Sequence, residues 1–312
     1  MIAAGLVLLA LALLGAALEY LCPAVAARGW IALARAAAGL SERRLLVDGV
    51  MVPYLDGGRG EPLVLVHGFG ADKDNFSRVA QFLTRRVRLI VPDLRGFGAA
   101  DRDVAADYRI PAQVERLRAF IRALGLGRVH LGGNSMGGFI VAELAARYPA
   151  EVASLWLLDP AGTEAALATP MIREYLQTGR IPLLVREPAS FPALLRSVMH
   201  RRVFAPHSVR RMLAKRAAAD FDLHERIFRQ VRLESPLLEP VLPAIAAPTL
   251  IVWGAEDRVL NPAAAAYLGT AIANSEVELM PEVGHLPMIE CPRACARRYL
   301  AFRARVAGAD VR

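Results

Sequence analysis

From Leu45 onward the chain alternates short apolar runs with helical patterns, and this alternation limits the fold more than any other feature. The runs are residues 63–66, 88–91, 129–131, 155–158, 250–253 and 277–280. Helical periodicity separates most of them, as in 110–124 and 137–148. Strands this apolar are buried on both faces, which calls for a mostly parallel sheet with helices on each side. Val47 to Tyr54 reads as an antiparallel hairpin ahead of that sheet, turning at Asp48-Gly49. The alternation lapses between Pro160 and Pro248, where helical patterns (171–177, 189–198, 208–218, 223–231) are punctuated by prolines. That stretch is expected to be a helical insertion between two core strands. With 55% apolar and 22% charged residues among 312, the chain is no disordered protein and can bury a large core.

The N-terminus obeys a different rule. Met1 to Leu18 carries no charge, and the apolar stretch runs past Glu19 to Ala27 with Pro23 inside it. About 20 helical residues span the hydrocarbon core of a bilayer. No Lys or Arg precedes the run, which sets it apart from a cleaved signal peptide despite the Ala24-Val25-Ala26 site. The expectation is a transmembrane anchor over 1–22, with Glu19 near the interface. A juxtamembrane amphipathic helix over 23–44 follows, beginning at Pro23 and reaching about Leu40, either along the membrane surface with Trp30 at headgroup level or packed on the domain as a linker. Gly5, Ala12, Gly15 and Ala16 would let such helices pair in a homodimer.

The net charge is +8, and Lys73 and Lys215 are the two lysines. Between Arg196 and Arg232 ten basic residues face three acidic ones, leaving +7 within the insertion. This is either a surface for anionic lipid headgroups or the solvated face of amphipathic helices. No nucleic-acid motif or aromatic interleaving accompanies it. Cys22, Cys291 and Cys295 have neither disulfide-framework nor zinc-ligand spacing.

The chemistry centres on Gly133-Asn134-Ser135-Met136-Gly137-Gly138. It fits G-x-S-x-G and lies between a strand and a helix, the context that motif requires. A serine on so tight a turn presents its hydroxyl at the sheet edge, at the positive end of the following helix. A hydroxyl needs a base, and the base needs an orienting acid. Among six histidines, His285 follows the last strand and comes after the serine and the acid in chain order. His130 reads as structural, and His200, His207 and His224 as surface residues of the insertion. The acid is expected to be Asp257, past the strand at 250–253, with Asp159 and Glu256 as rivals. Oxyanion donors are expected at the N–H of Met136 and of Phe69, the latter on the loop His67-Gly68-Phe69-Gly70. His67 is expected to brace that loop through its ring.

These residues together, with Asp93-x-x-Gly96-x-Gly98, Trp253-Gly254-x-x-Asp257 and Gly284-His285, make the chain resemble the α/β-hydrolase superfamily from about Leu45 to Arg305. The segment from His67 to Phe76 is similar to the corresponding loop of monoacylglycerol lipases with an N-terminal membrane helix. It is also similar to that of bacterial lipases and membrane-anchored phospholipases A. Pro160-Ala161-Gly162 fits the same group. The resemblance implies an α/β-hydrolase fold with an eight-stranded, mostly parallel sheet, its core at 45–159 and 249–312 and a helical lid at 160–248. It implies a serine ester hydrolase releasing fatty acids from lipids through Ser135, Asp257 and His285, with no metal or organic cofactor. Gly-Asn-Ser-Met-Gly-Gly is equally usual in serine hydrolases that cleave carbon–carbon bonds, although the Gly-Pro-Gly type loop of those enzymes is missing here. The alternative is therefore a carboxylesterase or C–C hydrolase of small soluble substrates. Arg28, Arg35, Arg43 and Arg44 after the apolar run favour a cytoplasmic catalytic domain. Similarity to anchored phospholipases points instead to the periplasmic side of a bacterial inner membrane, which is the expectation taken.

Overall fold

A computed structural model of the chain describes residues 13–309. Residues 1–12, most of the expected anchor together with Gly5 and Ala12, lie outside the described residues. Residues 13–21 are helical. Among the described residues no helix is long and apolar enough to cross a membrane.

A bend at Cys22 separates this segment from α1 (Pro23–Ala37), which starts on Pro23, where a missing N–H costs nothing. Glu19, expected near an interface, is engaged within the fold. Its carboxylate accepts the backbone N–H of Ser208 at 2.8 Å, the Ser208 hydroxyl at 2.9 Å and the Trp30 indole N–H at 3.1 Å. The helix stops at Ala37, and β1 (Leu40–Val47) begins where the juxtamembrane helix was expected to continue. The hairpin is thus longer than the sequence suggests, pairing β1 with β2 (Val50–Gly58) from Leu40↔Gly57 to Val47↔Val50. It turns where expected: Asp48 and Gly49 have φ of 48° and 77°, the two positive values a type I′ turn needs.

The remaining strands are β3 (Pro62–Val66), β4 (Arg88–Pro92), β5 (Val129–Asn134), β6 (Val152–Leu158), β7 (Thr249–Gly254) and β8 (Ser275–Met280). They form one eight-stranded sheet in the order β1-β2-β4-β3-β5-β6-β7-β8. The β1–β2 and β2–β4 pairings are antiparallel, and all others are parallel. The central strands β5 and β7 are buried along their whole length, as the unbroken apolar runs require.

Two cores flank the sheet. On one side α3 (Ile110–Ala123), α4 (Met136–Arg147) and α10 (Ala264–Ala271) bury Val114, Phe120, Ile140 and Leu268. On the other, α2 (Ser77–Leu83) and α12 (Pro292–Ala309) bury Leu83, Tyr299 and Phe302, with Tyr299 stacked on Trp156 at 4.4 Å. Between β6 and β7 the chain is helical: α5 (Glu164–Leu167), α6 (Pro170–Thr178), α7 (Phe191–Val198), α8 (His207–Ala219) and α9 (Phe221–Leu233). Short α11 (Pro287–Glu290) precedes α12.

Parallel strands place their carboxyl ends along one edge. His67, Asp93, Ser135, Asp159, Asp257 and His285 follow β3, β4, β5, β6, β7 and β8 respectively, so six reactive or charged side chains gather there.

Candidate active site

Ser135 ends β5 and starts α4 with φ 55° and ψ −118°, a backbone conformation that L-residues rarely adopt. Close approach enforces the turn. A Cβ at Gly133 would stand 2.3 Å from the carbonyl oxygen of Gly137, and one at Gly137 would stand 2.1 Å from that of Val66. The flanking backbone is stitched in place: Ser135 N–H donates to Leu158 O at 3.0 Å, and Ser135 O accepts the N–H groups of Phe139 and Ala161. Asn134 Nδ2 donates to Leu158 O and to His285 O, both at 3.1 Å, and so ties the serine turn to the histidine loop.

His285 is buried, and its Nδ1 lies 2.7 Å from Asp257 Oδ2. Asp257 accepts three further hydrogen bonds, from Trp253 Nε1 (3.1 Å), Val259 N–H (2.8 Å) and Leu260 N–H (3.1 Å). Four donors on one carboxylate fix its orientation. Of the rival acids, Glu256 is exposed. Asp159 is fully buried behind the pair, and burial, reinforced by the charge of Asp257, raises its carboxyl well above the usual range.

One donor atom each from Asp159, Asp257 and His285 lies within 4.8 Å of the others, the cluster that could hold a metal. The 2.7 Å separation of Nδ1 and Oδ2 is a hydrogen bond. Two ligands of one ion, each about 2 Å from it, would stand further apart.

The loop after β3 meets the serine turn directly: a Cβ at Gly68 would lie 3.2 Å from Ser135 Cβ. Among the described residues the N–H groups of Phe69 and Met136 have no hydrogen-bond partner. His67 braces this loop as expected. Its Nε2 accepts the N–H of Leu94 at 3.0 Å, which leaves Nδ1 to donate to Gly68 O at 2.8 Å. Burial lowers its pKa and keeps the ring neutral. Further along, Lys73 is pinned to Asp93 through both its N–H (2.8 Å) and its Nζ (2.7 Å). Asp72 pairs with Arg216 of α8 at 2.6 Å, and Asp74 with Arg35 of α1 at 2.7 Å. Three parts of the fold therefore hold one loop.

Two further residues belong to this arrangement, one that the sequence left unmarked and one expected at the surface. Glu290 is buried, and its carboxylate accepts the N–H groups of Gly284, Leu286, His200 and Arg201, so it bundles the histidine loop with the chain leaving α7. His224 is the other, and its expected surface position is corrected. It is buried, its Nε2 lies 3.1 Å from Gly96 O, and its ring packs against Phe97 (4.8 Å) and Phe69 (5.6 Å). His200 is exposed and His207 half-buried against Tyr20.

An apolar cavity opens on the serine. Phe69, Ser135 and Met136 form its floor, and Tyr175, Leu183 and Phe228 of the insertion form its walls. Among the described residues Arg232 is the one charged residue lining it.

The chain is similar to known proteins in sequence and in fold. The profile described as alpha/beta hydrolase fold matches residues 61–292. Lipase 1 of Psychrobacter immobilis is 37% identical over 263 residues, 83% of this chain and 82% of the lipase. Human monoacylglycerol lipase ABHD6 is 30% identical over 267 residues, 81% of this chain and 79% of the enzyme. The crystal structure of a membrane phospholipase A, described as a bacterial virulence factor, superposes with a TM-score of 0.89 at 39% identity. It covers 98% of this chain and 99% of its own. With a strained serine, a paired imidazole and carboxylate, and this sheet order, the chain belongs to the α/β-hydrolase fold family.

Proposed function

We propose that this chain is a serine ester hydrolase that releases fatty acids from membrane lipids: glycerophospholipids, lysophospholipids or monoacylglycerols. The observation that carries the reading is the apolar cavity ending on Ser135, a shape that accepts an acyl chain with its ester carbonyl at the hydroxyl. The lipase and phospholipase relatives support it.

In this reading Ser135 Oγ attacks the ester carbonyl carbon as its proton passes to Nε2 of His285. Nδ1–H toward Asp257 holds the ring in the tautomer that leaves Nε2 free, and the carboxylate stabilises the imidazolium. The N–H groups of Phe69 and Met136 receive the oxyanion. Collapse breaks the bond to the alcohol, which leaves with the proton from His285. Water, deprotonated by the same ring, then cleaves the acyl-enzyme and frees the fatty acid. No step calls on a metal or organic cofactor.

Residues 160–248 act as a helical lid over the core at 45–159 and 249–312, and 23–44 as a juxtamembrane segment. Leu13, Leu14, Leu21, Val25 and Leu33 are exposed on the N-terminal helices. Arg196, Arg202, Arg210, Arg211, Lys215 and Arg226 are exposed on the insertion. Apolar side chains beside a cationic surface suit an anchored protein lying on anionic lipid. Residues 1–22 serve as the anchor, in a bacterial inner membrane with the catalytic domain on the periplasmic side.

Fatty-acid release from phospholipid or monoacylglycerol vesicles by the full chain and by Ser135→Ala tests the reading. The expected result is release that the variant abolishes. Activity confined to short water-soluble esters, or none on any acyl ester, overturns it.

A further inference from the structure

A second acid stands behind the imidazole–carboxylate pair, and the ester chemistry does not require it. Asp159 follows β6 with φ 44°, a left-handed conformation unusual outside glycine, and is fully buried. Its N–H donates to Val252 O at 3.0 Å, and its Oδ1 accepts the N–H of Gly254 at 2.8 Å. Its Oδ2 is sealed from solvent and has no hydrogen-bond partner among the described residues. A buried oxygen left without a partner is costly, and a strained backbone holding it there calls for a reason.

The reason lies in its neighbours. Carboxylate oxygens of Asp159 and Asp257 and a ring nitrogen of His285 lie within 4.8 Å of one another. Two buried carboxylates this close cannot both ionise at ordinary pH. The hydrogen bonds decide which one keeps the proton. Asp257 receives four donors, while Asp159 receives the single N–H of Gly254. The other titratable groups facing Asp159 are Glu290 of α11 and Cys295 of α12. Glu290 adds negative charge, and the buried Cys295 thiol is itself pushed well above its usual range.

We infer that Asp159 is a positioning residue: a neutral carboxylic acid whose Oδ2–H donates to the Asp257 carboxylate and tunes its hold on His285. The donated proton holds Asp257 in place without adding net charge. It also withdraws electron density from Asp257, which moderates the carboxylate's pull on the His285 Nδ1–H. Asp159 touches no substrate, so its effect falls on kcat and on the pH profile, not on KM. The inference rests on the reading of Ser135, His285 and Asp257 given above.

Asp159→Asn and Asp159→Leu separate the possibilities. The asparagine keeps a donor of nearly the same shape but cannot ionise. The leucine removes the donor. On a soluble acyl ester, D159N is expected to keep kcat and the acid limb of the pH profile close to those of the unchanged chain. D159L is expected to lose about tenfold or more in kcat at unchanged KM, the size of one charge-assisted hydrogen bond. Its acid limb should move to higher pH, which a merely destabilised fold would not produce. If D159N loses activity as D159L does, Asp159 works ionised and the inference fails. It also fails if D159L matches the unchanged chain. Infrared spectroscopy of the full-length protein gives a reading independent of turnover and of D159L folding. A protonated-carboxyl stretch present in the unchanged chain and absent from D159N is expected, and its absence from both overturns the assignment. Should Ser135 not be the nucleophile, fluorophosphonate labelling fails in the unchanged chain while the infrared result still reads Asp159.

Discussion

His285 Nδ1 lies 2.7 Å from Asp257 Oδ2, and the other Asp257 oxygen is taken up by the N–H groups of Val259 and Leu260. The carboxylate is thus clamped by backbone on one side while it orients the imidazole on the other. Asp257→Asn preserves the shape but favours the wrong ring tautomer. It is expected to lower kcat by about 10³–10⁴-fold, with KM nearly unchanged. Steady-state kinetics on a soluble acyl ester checks this. A loss of less than about tenfold would show that another group orients the ring.

The serine turn depends on atoms that are not there. A methyl at Gly137 would penetrate to 2.1 Å of Val66 O, which is backbone and cannot swing aside. Gly137→Ala must therefore push β3 and β5 apart or unwind the first turn of α4. It is expected to destabilise the fold by about 1–3 kcal/mol or more and to abolish fluorophosphonate labelling of Ser135. Gly15→Ala, where nothing lies within 4 Å of the added atom, is the matched control. Denaturant unfolding of the two variants measures the difference.

The central sheet and the serine turn were legible because buried parallel strands leave unbroken apolar runs and because G-x-S-x-G has its own backbone geometry. The edges were not. β1 exposes Ser41, Glu42, Arg43 and Arg44, so its polar residues read as the end of a helix and not as an edge strand. The acid could be ranked but not proven from sequence. Asp159, Glu256 and Asp257 all follow strands, and only the fold shows Asp257 reaching the ring. His224 and Glu290 were hidden for another reason. Each sits on a helix whose pattern gives a buried face but not what that face meets. Their partners, Gly96 and Gly284, are backbone groups far away in the chain or around a turn.

Arg232 is an unusual lining for an acyl cavity. Its Nε is sealed from solvent and has no hydrogen-bond partner among the described residues. Among the described residues no carboxylate lines the cavity to neutralise it. An anionic lipid group would supply the missing acceptor. Arg232→Met is expected to raise KM for lysophospholipid about tenfold while leaving monoacylglycerol turnover nearly unchanged. Kinetics on the two substrates at matched acyl length decides it, and an equal effect on both would assign Arg232 to packing alone.

His130 gives a stability prediction. It lies in β5 with Nδ1 2.8 Å from Ser154 Oγ. Burial, aided by the nearby charges of Arg303 and Arg128, lowers its pKa from 6.5 to about 3. Below pH 6.5 the unfolded chain takes up a proton that the folded chain refuses, so this contribution is complete above 6.5 and is lost progressively as pH falls toward about 3. Buried His67 and His224 shift in the same direction. The Tm is expected to fall between roughly pH 7 and 5, before most carboxylates titrate, and His130→Asn should reduce that fall. Calorimetry across this range tests it, and an unchanged slope in the variant would show that His130 does not contribute.

The loop bearing Phe69 is tied to the insertion by the Arg216–Asp72 pair, 2.6 Å apart with Asp72 buried. Burial works to raise the Asp72 carboxyl, but the charge and hydrogen bond of Arg216 outweigh it and hold the group below its usual range. Removing the arginine alone leaves a buried, unpaired carboxylate, which costs roughly 3–5 kcal/mol, whereas removing both charges costs far less. Arg216→Met is therefore expected to lower stability sharply, and the double variant with Asp72→Asn to recover most of it. The carboxylate of Asp72 also accepts the N–H of Asp74 at 2.9 Å, so the single variant should loosen the turn that aims the Phe69 N–H and lower kcat as well. Urea unfolding and kcat measured on the same three proteins give the coupling. If Arg216→Met is as stable as the unchanged chain, the pair does not join the insertion to the loop. If the double variant regains stability but not kcat, the pair positions Phe69 as well as holding the fold.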